Sequence, residues 1–163
     1  LSKPGIRPFA LTFIASGLFI TCTAYAVSPW YELIVNKSDS LAGTLFLLDK
    51  TKVPECGQTT IFDMPVDNRF YRGARLIKII EGCSGDMITT SSHREVFINQ
   101  HSVGVAMTHS TTGDHELSMT KEGVIPKNKV YLAATHTKSY DSRYDSFGLR
   151  DRSELIGAAY QIF

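Results

Sequence analysis

The stretch PFALTFIASGLFITCTAYAVSPWY, from Pro8 to Tyr31, restricts the architecture of this chain more than any other, because no formal charge interrupts it between Arg7 and Glu32. A bilayer core is crossed by a helix of about 20 apolar residues, so the run is long enough to span one. Lys3 and Arg7 precede it, and Trp30 and Tyr31 follow. That is the arrangement of a basic cytoplasmic flank and an interfacial aromatic belt on the far side. The pattern predicts residues 1–31 as cytoplasmic flank and transmembrane anchor, and residues 32–163 as one body facing the periplasm or the exterior. The competing reading is a cleavable signal peptide, since Ala24-Tyr25-Ala26 has the small-x-small form of a cleavage site. The length of the apolar run favours a retained anchor.

The body is large enough for one domain with its own core. With 163 residues, a net charge of +1 and no run of lysines or arginines, the chain has no electrostatic footprint for nucleic acid. Cys22 falls in the apolar run and reads as a small hydrophobe, whereas Cys56 and Cys83 fall in the exported body, where a disulfide persists. Neither the cysteines nor the five scattered histidines have the spacing of a metal site, so no metal and no cofactor is expected.

After Glu32 the apolar residues come in short runs bounded by turn formers, which is the pattern of strands. Candidate strands are TLFLLD, TTIFDMPV, ARLIKIIEG, DMITT, EVFINQ, SVGVAMTHS, KVYLAAT and LIGAAYQIF. The body reads as all-β, built of antiparallel sheets, with hairpins at Gly85-Asp86 and around Asn99 to Ser102 and a loop or ribbon over 110–122.

Three polar stretches carry candidate chemistry. In NKSDSLAGTLFL an extended backbone would put Ser38 and Ser40 on one face. One hydroxyl could then attack a carbonyl while the other, with a backbone N–H, stabilised the oxyanion. The same residues also suit a polar linker leaving a membrane. In RGARLIKIIEGCSGD, Lys78 is bracketed by Leu76, Ile77, Ile79 and Ile80. Burial would lower its pKa and make it a usable base, while a strand with a wet face would leave it an ordinary surface lysine. In SYDSRYDSFG, Asp141 and Arg143 can pair and fix the backbone carrying Ser139, or the segment is a plain turn.

Taken in order, SDS, IKIIEGCSGD and SYDSR resemble the S26 signal peptidases, and within them the TraF-type peptidases of plasmid conjugation. Those proteins carry S-x-S after a membrane helix, then IKR-x-x-G-x-PGD, then S-x-DSR. The conjugative branch reads SYDSRYFG, and the family closes on an IIG-x-A-like strand, here LIGAAYQIF. The resemblance implies the antiparallel β fold of signal peptidase and LexA-like domains. It implies Ser40 as nucleophile, Lys78 as general base, Ser38 and the Ser40 N–H as oxyanion donors, and Ser139 as the residue orienting Lys78. Asp141 is either a third catalytic member or only the partner of Arg143. The implied function is a serine endopeptidase in the bacterial inner membrane, single-pass with its catalytic domain in the periplasm. Its substrate would be a pilin precursor or other membrane-inserted preprotein, cleaved or cyclised, with membrane lipid and the conjugative transfer machinery as further partners. The rivals are a general signal peptidase and an idle anchored β-domain of a secretion channel. The chain departs from the pattern at Ala42 and Thr44 (Pro and Gly in the family), at Ala133-Ala134 (Gly-Asp in general signal peptidases), and by the inserted Asp145-Ser146.

Overall fold

A computed structural model describes residues 8–68, 70–111 and 113–163, with side chains from Thr12 on. The basic flank, Lys3 and Arg7, lies outside the described residues. Helix α1 occupies Pro8–Val27, 20 residues without a charge. Among the described residues no helix is long and apolar enough to cross a membrane. Tyr31, grouped above with the apolar run, opens the first strand instead.

The body is antiparallel β throughout. Its strands are β1 (Tyr31–Val35), β2 (Leu45–Asp49), β3 (Thr59–Asp63), β4 (Arg75–Gly82), β5 (Met87–Thr90), β6 (Glu95–Ile98), β7 (His101–Val105), β8 (Gly123–Val124), β9 (Lys129–Ala133), β10 (Arg150–Asp151) and β11 (Leu155–Gln161), with one 3-10 turn at Arg152–Glu154. Seven of them form one sheet in the order β1-β2-β11-β3-β4-β9-β10, and four form a smaller sheet, β7-β6-β5-β8. The last strand of the chain is thus threaded into the middle of the large sheet, between β2 and β3. Gly157 permits this: a Cβ there would collide with the Asp49 carbonyl.

Each predicted strand run contains a strand, generally shorter than the apolar run. β1 was absent from the expected strands, because its residues continue directly from the apolar segment. The expected hairpin at Asn99 forms, with Ile98 paired to His101. Asn99 and Gln100 have φ of 48° and 72°, the two positive values that a tight two-residue hairpin turn requires. The hairpin expected at Gly85-Asp86 does not form. A turn is present, with the Asp86 N–H on the Cys83 carbonyl, but β4 pairs with β3 and β9 whereas β5 pairs with β6 and β8. The turn is the passage from one sheet to the other.

β4 lies inside the large sheet, paired along both edges, and apolar residues pack on both of its faces. Ile80 and Leu76 pack with Phe62, Leu132 and Tyr140 on one side, while Ile77 and Ile79 pack with Leu41, Ile61 and Ala134 on the other. A third apolar cluster, around Ile88, Val96, Ile98, Ile125 and Tyr131, joins the small sheet to β9. A disulfide between Cys56 and Cys83, Cα atoms 6.2 Å apart, ties the segment before β3 to the turn after β4. Cys22 is free and exposed on α1.

Candidate active site

Lys78 stands in β4 opposite Thr60 of β3 and is only 2% exposed. Losing water of hydration disfavours an ammonium. Burial therefore pushes the Lys78 amine down from its ordinary 10.5 to about 8, the Asp141 carboxylate pulling the other way and the Arg143 cation adding to the fall. Lys78 Nζ is hydrogen-bonded to Ser139 Oγ, and Ser139 Oγ in turn donates to Ser40 Oγ at 3.3 Å. Three residues far apart in sequence thus meet in one line of polar atoms, with Ser139 in the middle.

Ser40 lies in the loop between β1 and β2. That loop is not extended, so the shared strand face expected for Ser38 and Ser40 does not exist. Ser38 instead donates its N–H (3.1 Å) and its hydroxyl (2.9 Å) to Asn36 Oδ1. The backbone of Ser40 is held by the segment after β9: its carbonyl accepts the His136 N–H at 3.2 Å and lies 3.5 Å from Thr135 Oγ1. His136, one of the scattered histidines, was invisible as a site residue because it contributes here through its backbone.

Asp141 and Arg143 do pair, although through a turn and not an extended segment. Arg143 Nε and Nη2 donate to the two Asp141 carboxylate oxygens, each at 2.8 Å, and both side chains are essentially without exposure. The fork also reaches the carbonyls of His136 (3.0 Å), Ser139 (3.2 Å) and, from β7, Val105 (3.3 Å). Asp141 accepts the Ala134 N–H at 3.2 Å. The pair therefore staples both ends of the segment that presents Ser139 and touches Ser40, and Asp141 acts on Lys78 through space. Glu81, not singled out in the sequence, is half-buried, and burial together with the Asp141 charge raises its carboxyl above the usual range. Among the described residues no cluster of His, Cys, Asp or Glu is arranged to hold a metal ion.

A cleft of about 250 Å³ opens onto Ser40 and Lys78, walled by Ile34, Val35, Ile61, Leu76 and Ile77. On the other side of the Ser38–Ser40 loop lies a more open, polar hollow of about 580 Å³, lined by Lys37, Asp39, Thr44, Thr135 and His136 among others. The Ser38–Ser40 loop is the ridge between the two. An apolar wall facing a buried amine and a hydroxyl suits attack on a carbonyl whose neighbouring side chain is apolar.

The conjugal transfer protein TraF of Agrobacterium tumefaciens (strain 15955) is 26% identical over 173 aligned positions, covering 94% of this chain and 95% of that protein. Among solved structures, a signal peptidase I from Enterococcus faecalis V583 aligns with a TM-score of 0.40 at 18% identity, over 64% of this chain and 95% of that one. The family model of the signal peptidases, peptidase S26, matches residues 6–163. A match over nearly the whole chain, on the segments that build this cluster, places the protein in that family: it belongs to the signal peptidases of peptidase family S26.

Proposed function

We propose that the protein is a membrane-anchored serine endopeptidase that processes a pilin precursor for conjugative transfer, using Ser40 as nucleophile and Lys78 as general base. The observation that carries this reading is the line Lys78–Ser139–Ser40, buried at Lys78 and Ser139, with Lys78 and the half-buried Ser40 lining a mostly apolar cleft. With the amine neutral, Ser40 donates to Ser139 and Ser139 to Nζ. As Ser40 Oγ bonds to the substrate carbonyl carbon, its proton is taken up along that line. The oxyanion is met by the Ser40 N–H and by the Ser38 hydroxyl, once that hydroxyl turns from Asn36 Oδ1, and donors of this kind are worth several kcal/mol in acyl transfer. The resulting ammonium returns its proton to the leaving amine. Neutral Lys78 then activates the water, or an incoming amine, that releases the acyl group.

The uncharged α1 and the exposed Trp30, Tyr31, Leu33 and Val35 that follow it support an anchor with the β-body on the periplasmic side of the inner membrane. Apolar groups left in water at the foot of a helix are at home in a bilayer interface. The similarity to a conjugal transfer protein favours a pilin precursor over exported precursors in general. Incubation of the detergent-solubilised protein with a candidate pilin precursor, read by intact mass, tests the reading. A processed product is expected from wild type and none from Ser40→Ala or Lys78→Ala, and a cyclic product is lighter than a linear one by one water. Unprocessed pilin precursor alongside cleavage of an unrelated exported precursor would make the protein a general signal peptidase.

A further inference from the structure

The Asn36 side chain uses its whole hydrogen-bonding capacity inside the nucleophile loop. Its Oδ1 accepts both the N–H and the hydroxyl of Ser38. Its Nδ2 donates to the carbonyls of Leu41 and Gly43, each at 3.0 Å, and its backbone N–H donates to the Thr44 carbonyl at 2.9 Å. An amide has two acceptor and two donor positions on its side chain, and all four are spent on residues that flank Ser40 on both sides. Ala42 lacks the conformational restriction a proline would impose, so the loop has no stiffening of its own at that position. One side chain supplies the stiffening from within.

Resting on the acyl-transfer reading above, we infer that Asn36 is the positioning residue of this site. It holds Ser40 in place by closing the loop around it, and it keeps the Ser38 hydroxyl in reserve until an oxyanion competes for its proton. In the free protein the Ser38 proton is donated to Asn36 Oδ1. When Ser40 Oγ bonds to the carbonyl carbon, the carbonyl π electrons pass to its oxygen. A charged acceptor forms a stronger hydrogen bond than an amide oxygen, so the Ser38 O–H leaves Oδ1 and turns to the oxyanion. The Nδ2 bonds keep the loop closed during the exchange. Asn36 touches no reacting atom and acts through Ser38 and Ser40.

The test is acylation of Ser40 by p-nitrophenyl acetate, followed across ester concentration and located by peptide mass mapping, in wild type and in Asn36→Ala, the near-isosteric Asn36→Asp, Ser38→Ala and the double variant Asn36→Ala/Ser38→Ala. Asn36→Ala is expected to lower the limiting acylation rate by roughly 10 to 100-fold with the ester's half-saturating concentration unchanged, less than the roughly 10² to 10³ that outright removal of an oxyanion donor costs, because the donor is misplaced and not lost. Asn36→Asp, which keeps the acceptor but loses both donors, is expected to fall in the same direction while remaining folded. The double variant is expected to lose less than the product of the two single losses, because Asn36 acts partly through Ser38. Wild-type acylation rates in folded Asn36→Asp, or losses that simply multiply, would overturn the inference while leaving the Ser40 reading intact. Absence of Ser40 acylation in wild type would overturn both.

Discussion

At the scale of single residues, Lys78 and Arg143 are opposite solutions to burying a cation. Arg143 keeps its charge and is matched by Asp141 and a ring of carbonyls, whereas Lys78 has one hydroxyl partner and lowers its pKa instead. With a folded value near 8 against an ordinary 10.5, the unfolded chain holds a proton between those values that the folded chain has shed. Stability therefore rises with pH across that window, and below it the fold carries a buried charge. Lys78→Met, apolar and similar in length, should raise stability at pH 7 by about 1–3 kcal/mol, a gain that vanishes toward pH 11 while processing is lost; urea unfolding at the two pH values measures it. Asp141→Asn should destabilise by about 3–5 kcal/mol, since removing one partner leaves the other charge buried and unmatched; unfolding near wild-type urea concentration would contradict the staple. The four apolar residues flanking Lys78 allowed burial but equally allowed a strand with a wet face, and only the packing around β4 decides for burial. Asn36 was not, because an asparagine beside two serines looks the same in a polar linker, and only the course of the loop shows that its amide is saturated.

The elements were readable where apolar runs are bounded by turn formers and obscure where a strand continues another segment. β1 is fused to the apolar run before it, and β8 and β10 are two residues each, too short for any alternation to show. The false hairpin at Gly85-Asp86 has the same cause as the correct one at Asn99: local turn chemistry specifies that the chain reverses, not which sheet receives it. That choice belongs to long-range packing, here the cover the small sheet gives to β9 and, through Val105, to Arg143. The Cys56–Cys83 bridge closes a loop with a sequence separation of 27 across this junction. Thiol counting on unreduced, denatured protein should find one reactive cysteine, and reduction should cost roughly 2–4 kcal/mol; three reactive thiols would show that the bridge does not form.

At the scale of the whole molecule, the large sheet brings its first loop, its β4 strand and the segment after β9 to one edge of the apolar cleft, with the proposed anchor joined directly to β1. The chain is thereby expected to act on carbonyls presented close to a membrane surface. Full-length protein should stay with the membrane pellet through an alkaline carbonate wash, and release into the supernatant would contradict the anchor. The central claim is that a neutral Lys78 activates Ser40, and the pH dependence of Ser40 acylation by p-nitrophenyl acetate, in wild type and Lys78→Arg, tests it most directly. Arginine stays charged at every accessible pH and cannot take a proton. The account predicts an adduct on Ser40 in wild type, forming at a rate that rises with pH through about 8, where burial places the Lys78 amine, and no adduct in Lys78→Arg. A rate independent of pH in wild type, or an equally reactive Ser40 in Lys78→Arg, would contradict it.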